Sequence, residues 1–242
     1  MTIARSPYEV AIGGGLEGLH PRLAAYFSAI PDGSIGRGHG VFDVVGTPRR
    51  WLWPVLWLLG RQGVVFAVWR HDVPFTVENR RAVDASGVVA VDAVRTFHFG
   101  SGSDRARPGD GGARGVRHMI DAITAEHDGL VDHLGTRRQW SAELTAEVVG
   151  GELHLTSTRM WLAIAGRRVP LPRPLSPVVR LTERFDDDAD RQRVRITLDL
   201  PAVGRIYEYS GSFRYTIEPL DPASASSHTR PPTPPPTTGA DT

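Results

Sequence analysis

Residues 191–217, RQRVRITLDLPAVGRIYEYSGSFRYTI, decide the fold class of this chain. Val194, Ile196, Leu198 and Leu200 alternate with mostly polar neighbours. Past the Pro201–Gly204 link, Tyr207, Tyr209, Phe213, Tyr215 and Ile217 repeat the pattern. An apolar residue at every second position marks a strand covered on one face, and so short a link joins two such strands antiparallel. Working back along the chain, the same period runs through Val179/Leu181, Trp140/Ala142/Leu144/Ala146/Val148, Val89/Val91/Ala93 and Phe75/Val77. The links at Ala85–Gly87, Gly150–Gly151 and Asp186–Asp190 leave no room for helical crossovers, which excludes a parallel sheet. Two connections are longer: the Gly/Arg/Asp stretch 100–115, and VPLPRPLSP at 169–177, whose prolines bar it from a central strand. In 116–126, Val116, Met119, Ile120 and Ile123 fit a helix face while the composition also suits a strand; periodicity favours the helix.

Upstream of residue 73 the period is that of helices. Ser6-Pro7-Tyr8-Glu9 has the spacing of a capping box with Pro at the first helical position. Leu19, Leu23, Tyr26, Phe27 and Ile30 recur at helical intervals, with Pro21 tolerable near a helix start. A third apolar segment, WLWPVLWLLG, occupies 51–60 between Arg49-Arg50 and Arg61. The expected fold is mostly β within an α+β class: an antiparallel meander of about 8–10 strands, curved or closed into a barrel to hide its edges, with short N-terminal helices. One β-rich domain is expected over 1–220. Residues 221–242 hold Pro, Ser and Thr with almost nothing to bury, a composition expected to stay disordered.

Composition excludes several functions. Twenty-eight basic residues, all of them Arg, balance 27 acidic ones for a net charge of +1, unlike the concentrated basic surface of a nucleic-acid binder. The absence of Cys rules out disulfides, a thiol nucleophile and thiolate metal sites. MTIARSPYEV lacks the apolar core of a secretory signal, and no apolar run reaches the ~18–20 residues that span a bilayer. A cytoplasmic protein is expected, with peripheral membrane contact as an open alternative. Gly13-x-Gly15-x-x-Gly18 matches the dinucleotide fingerprint literally, but Pro21 interrupts the helix that should follow and no βαβ unit is present. No cofactor is expected.

Strand parity supplies the candidate site. Arg95 falls on the apolar face of 88–99 with Val89, Val91, Ala93, Phe97 and Phe99, and Glu183 falls on that of 178–185 with Val179, Leu181 and Phe185. A lone charge on a core face costs several kcal/mol unless paired, so Arg95 and Glu183 either pair with each other or hold the polar end of a ligand. Tyr207 and Tyr209 share the apolar face of the last strand, with Gly211 leaving space above them. His118, His127, Asp128, Asp132 and His133 cluster in sequence without metal-ligand spacing, so no metal is expected. Arg105, Arg107, Arg114 and Arg117 read as a solvated connection. Trp51, Trp53 and Trp57, with Leu52, Val55, Leu56, Leu58 and Leu59, make a helix apolar all round, which either plugs a barrel end or meets a membrane surface.

Several segments together resemble the bacterial domain-of-unknown-function family 4166. They are SPYEVAIGGGLEGLHPRLAAYF at 6–27, GRGHGVFDVVG at 36–46, DVPFTVENR at 72–80, RTFHF at 95–99, GLVDHLG at 129–135, VPLPRPLSPVVRLTER at 169–184 and LPAVGRIYEYSG at 200–211. Ala93 stands where members commonly carry Trp. The resemblance implies that the Gly-rich stretch is a loop between helices and that 116–135 is a strand hairpin. It also implies a partner, since members occur alone or fused to a saccharopine-dehydrogenase-like reductase; it carries no established activity.

The expected function is non-catalytic binding of a small apolar molecule or lipid inside the barrel. Arg95, Glu183, Tyr207 and Tyr209 would contact the ligand, and Trp51, Trp53 and Trp57 would form a lid or membrane contact. The alternatives are a lipid- or polyketide-modifying enzyme using Glu183 or Tyr209 as acid or base, and a structural or interaction module for a reductase.

Overall fold

The computed structural model describes residues 5–84, 87–100, 111–112, 114–126, 129–165 and 167–220. The tail 221–242, Arg105, Arg107, His127 and Asp128 lie outside the described residues. Helix α1 (Pro7–Ile12) opens with the capping box: the Ser6 side chain accepts from the Glu9 amide, and the Glu9 carboxylate accepts from the Ser6 amide. Gly13–Gly18 forms a 3-10 turn, and α2 (Pro21–Phe27) starts on its proline. The glycines thus join two helices, as the family resemblance implied.

All the strands pair antiparallel. In chain order they are β1 (Ser34–Gly46), β2 (Val68–Val83), β3 (Val89–His98), β4 (Gly111–Gly112), β5 (Val116–Glu126) and β6 (Gly129–Leu134). They continue with β7 (Trp140–Val149), β8 (Glu152–Ile164), β9 (Arg167–Pro170), β10 (Val178–Asp186), β11 (Arg191–Leu200) and β12 (Gly204–Pro219). Hydrogen bonding follows the order β1-β12-β11-β10-β8-β7-β6-β5-β3-β2, and β2 pairs back onto β1. Ten strands therefore close a barrel, with the short β4 and β9 attached to β2 and β8. The outward positions of β11 and β12 carry Arg193, Arg195, Glu208, Ser210, Ser212 and Arg214. Such an outer wall suits water, the reverse of a lipid-facing barrel.

Two segments correct the sequence reading. Residues 116–126 form a strand paired with Gly129–Leu134, as the family resemblance implied, not the helix that periodicity favoured. Asp121 faces inward and Ala122 outward, yet both are buried along with Ile123, so the two-residue alternation disappears. The second correction is β1, which lies in the region assigned to helices. Its inward positions are Gly36, Gly38 and Gly40, so the strand shows no apolar alternation until Phe42. Those glycines are required by space. Gly38 faces Tyr215 and Val77 across its two neighbours, and Gly40 faces Phe213 and Phe75. A β-carbon at Gly40 would lie 2.0 Å from the Ser212 carbonyl oxygen and 2.6 Å from Cβ of Phe213.

The room left by those glycines is filled by rings. Phe42 stacks on Phe75 at 3.8 Å and on Phe97 at 5.2 Å, while Tyr209 meets Phe42 edge-on. β1 runs from α2 to the segment containing the third helix, α3 (Trp53–Gly60), so the helices lie at opposite ends of the barrel. At one end Leu23 and Phe27 of α2 pack with Ile123, Leu130, Leu144, Leu153 and Leu155. At the other, Leu56 and Val64–Phe66 join Phe99, Met119 and Tyr207, and the Phe66 amide donates to the Tyr207 hydroxyl at 3.3 Å.

Gly40→Ala should destabilise the barrel by about 1–3 kcal/mol, because the clash is with backbone and β12 must shift. Gly14→Ala, where a β-carbon meets nothing within 4 Å, should leave the urea midpoint nearly unchanged. Equal midpoints for the two variants would show that β1 is not confined at Gly40.

Candidate functional site

Among the described residues, Arg95 on β3, Asp121 on β5, Asp132 on β6 and Glu183 on β10 bring a guanidinium and three carboxyl groups into the barrel. Arg95 and Glu183 share the interior, as their parity predicted, but they do not pair with each other. Ala93 lies directly opposite Asp121, which makes Asp121 the diagonal neighbour of Arg95, and the Arg95 guanidinium forms its ion pair there. Glu183 has an equivalent arrangement one strand over: its carboxylate accepts from the Gln192 side-chain amide on β11. Each charge is satisfied by a neighbouring strand, which a single-strand parity argument cannot see.

Asp132 pairs across the sheet with Ile123 and Ala142, both inward-facing, while its neighbour His133 faces out and bonds to Thr124 and Ser141. The Oδ1 atom of Asp132 is buried without a hydrogen-bond partner, and so is Oδ1 of Asn79, whose amide donates to the Tyr215 hydroxyl at 3.4 Å. Tyr26 reaches in from α2 and meets Phe213 and Tyr215 edge-on.

Tyr26 and Arg95 border both gaps in this interior. The larger, walled also by Tyr8, Ser28, Asn79 and Asp121, offers about 20 Å³ to the centre of a water molecule. The smaller, between Phe42, Phe75, Glu183, Tyr209 and Phe213, offers about 10 Å³. A water needs roughly 10–15 Å³ on this measure, so the closed barrel has room for about one water in the larger gap. The rings drawn in against β1 fill what the sequence reading expected to be a ligand cavity.

Burial dominates the electrostatics. It pushes the Glu183 carboxyl up to about 7, against the hydrogen bond from Gln192 and the charge of Arg95. Asp132 is raised by burial and by the Asp121 charge, and Asp121 by burial against the pull of Arg95. Burial opposes the Arg95 charge, but the groups around it, Asp121 first, outweigh that and hold the guanidinium protonated. Tyr26, Tyr207 and Tyr209 are raised by burial and stay protonated. Tyr207 sits at the α3 end, bonded to Phe66 and away from the polar cluster. Tyr209 borders the smaller gap with Arg95 and Glu183.

Sequence reasoning missed Tyr26, Asn79 and Gln192 as members of this cluster. It also missed Asp121, whose parity with Met119 and Ile123 would have revealed it had 116–126 been taken as a strand. Among the described residues no group of His, Asp and Glu is placed to hold a metal. The aromatic helix is split between the two readings offered for it. Leu56 is buried, and the Trp53 indole donates to the Thr47 carbonyl at 3.2 Å, so one face plugs the barrel. Trp51, Val55, Trp57 and Leu58 stay 56–61% exposed.

The sequence profile described as "Domain of unknown function (DUF4166)" matches residues 19–213, from just before α2 into β12. The chain belongs to the DUF4166 family. It is also similar to "Uncharacterized protein YndH" of Bacillus subtilis (strain 168), with 26% identity over 147 residues, 59% of this chain and 65% of that protein's length. No solved structure matches. The family places the barrel without assigning it an activity. No described helix is long and apolar enough to cross a membrane.

Removing either partner of the Arg95–Asp121 pair should cost about 3–5 kcal/mol, since each leaves a buried charge alone. The double change Arg95→Met with Asp121→Leu should cost far less than the two singles summed, a coupling measured by a double-mutant cycle in urea. Additive losses would mean the pair is not formed.

Glu183 adds a pH dependence. Between its ordinary 4.5 and its folded value of about 7, the folded chain keeps a proton that the unfolded chain has released. Stability therefore falls as pH rises through that window, by about 3 kcal/mol, and stays at the lower level above it. Glu183→Gln should remove this component, so the difference between wild type and variant is the readout. Parallel pH profiles for the two proteins would show that Glu183 titrates normally.

Proposed function

We propose that the barrel is a non-catalytic binding domain for a small molecule with an apolar body and a hydrogen-bond-donating end, taken up in the space that Tyr26 fills in the closed form. The observation that carries this reading is an imbalance in the interior. Among the described residues, three buried carboxyl groups, Asp121, Asp132 and Glu183, all feel the charge of Arg95, which pairs with Asp121 alone, while Asp132 and Asn79 each keep a buried oxygen without a partner. Packing alone asks for apolar residues there, because replacing buried ion pairs by well-packed hydrophobes is often neutral or stabilising. Unused acceptors inside a fold instead match a ligand that donates to them.

Tyr26 stands between the two gaps, so an outward movement of α2 would join them into one pocket. Phe42, Phe75 and Phe213 would wall its apolar part, with Arg95, Asn79, Asp121 and Glu183 at its polar part. Helices α1 and α2 would be the lid. The Ser6 hydroxyl bond to the Phe27 carbonyl joins them to each other; the buried Leu23 and Phe27, the His20 amide bond to the Gly151 carbonyl, and exposed His20–Asp187 and Arg22–Asp190 pairs hold them to the barrel. This lid lies opposite the Trp helix to which the sequence reading gave that role. The filled interior favours a second reading, a purely structural barrel serving a partner such as a reductase.

N-phenyl-1-naphthylamine, a fluorescent apolar molecule with one N–H donor, separates the two. Tyr26→Ala should raise its affinity about tenfold or more over wild type, because the variant joins the gaps without lid movement. Native mass spectrometry of wild type from its producing cells should show a co-purifying apolar compound. A Tyr26→Ala variant that is folded by circular dichroism yet binds no more probe than wild type would overturn the binding reading in favour of the structural one.

A further inference from the structure

The α3 end of the barrel carries a surface that the binding reading does not use. Within eight residues, Trp51, Val55, Trp57 and Leu58 are each more than half exposed, while Leu56 anchors the same segment in the core. Monomeric proteins seldom leave such an apolar cluster facing water without a partner. The helix is eight residues long, about 12 Å, so it lies along a surface and cannot cross a bilayer.

Charge selects the partner. Arg49, Arg50 and Arg61 flank the cluster, and no Asp or Glu occurs between Asp43 and Asp72. The Arg50 guanidinium lies 5.4 Å from the Trp53 ring and that of Arg61 lies 5.0 Å from the Trp57 ring. None of the three forms a carboxylate pair among the described residues, so their donors remain available to anions. Indole rings beside unpaired guanidinium groups, with aliphatic side chains between them, match the boundary of an anionic bilayer: apolar groups enter the acyl edge and arginines meet phosphate oxygens. We propose that the exposed face of Trp51–Leu58, with Arg49, Arg50 and Arg61, docks the protein on an anionic lipid surface.

The test is co-sedimentation of the full chain with vesicles of phosphatidylcholine, pure or mixed with phosphatidylglycerol. Wild type should bind the mixed vesicles and leave the pure ones largely alone, with a blue shift of tryptophan emission on binding. The double variant Trp51→Ser/Trp57→Ser should lose the shift and at least about tenfold in partitioning, as should Arg49→Gln/Arg50→Gln/Arg61→Gln. These side chains are mostly at the surface, and circular dichroism should show both variants folded. Equal binding to the two vesicle types, or unchanged binding by either folded variant, would overturn the proposal. So would a dimer in sedimentation velocity that the tryptophan double variant dissolves, which would give the face to a second copy of the chain.

Discussion

The ring closes through β1, a strand with no side chain on much of its inner face. Gly36, Gly38 and Gly40 let β1 lie close against β2 and β12 while the rings of Phe75, Phe213 and Tyr215 extend across the space their own side chains would have taken. On the partner strand the relation is reversed: Gly211 of β12 stands opposite Phe42 of β1. Glycine facing aromatic on both strands holds the register of this seam. Without that seam β1 and β2 would become edges, and the interior rings would lose their shared packing.

The interior filled by this seam is narrow, which makes its polar residues expensive. Arg95 and Asp121 satisfy each other on adjacent strands, and the Glu183 carboxylate accepts from the Gln192 side-chain amide. Asp132 and Asn79 keep oxygens that nothing described in the interior occupies. Burial raises all three carboxyls, and Glu183, raised to about 7, is partly protonated near that pH. The two helical ends differ in kind. The α1–α2 end sits on the polar cluster through Tyr26, whereas the α3 end seals the ring with Leu56 and Phe66 and turns its tryptophans outward.

Much of this was legible in the chain because β10, β11 and β12 are covered on one face only. Their two-residue period survives intact, and with it the inward placement of Glu183, Tyr207 and Tyr209. Arg95 was legible for the same reason on β3. Where both faces are covered, as at Asp121–Ile123, or where the inner face is glycine, as in β1, the period vanishes and local reading fails. Parity leaves the partner of Arg95 open, because it gives a side chain's direction but not its neighbour across the sheet.

By itself the sequence determined the antiparallel β class, the capped N-terminal helices, the family, and the inward placement of Arg95, Glu183, Tyr207 and Tyr209, since all of these follow from local periodicity, capping and motif. Only the tertiary structure decided that the ring closes through β1, that Asp121 and Gln192 satisfy Arg95 and Glu183, and that Tyr26 fills the space between them. It alone showed that one side of the Trp helix is buried and the other exposed. Those outcomes depend on strand order and register between residues far apart in the chain, a relation that no local pattern of residues contains.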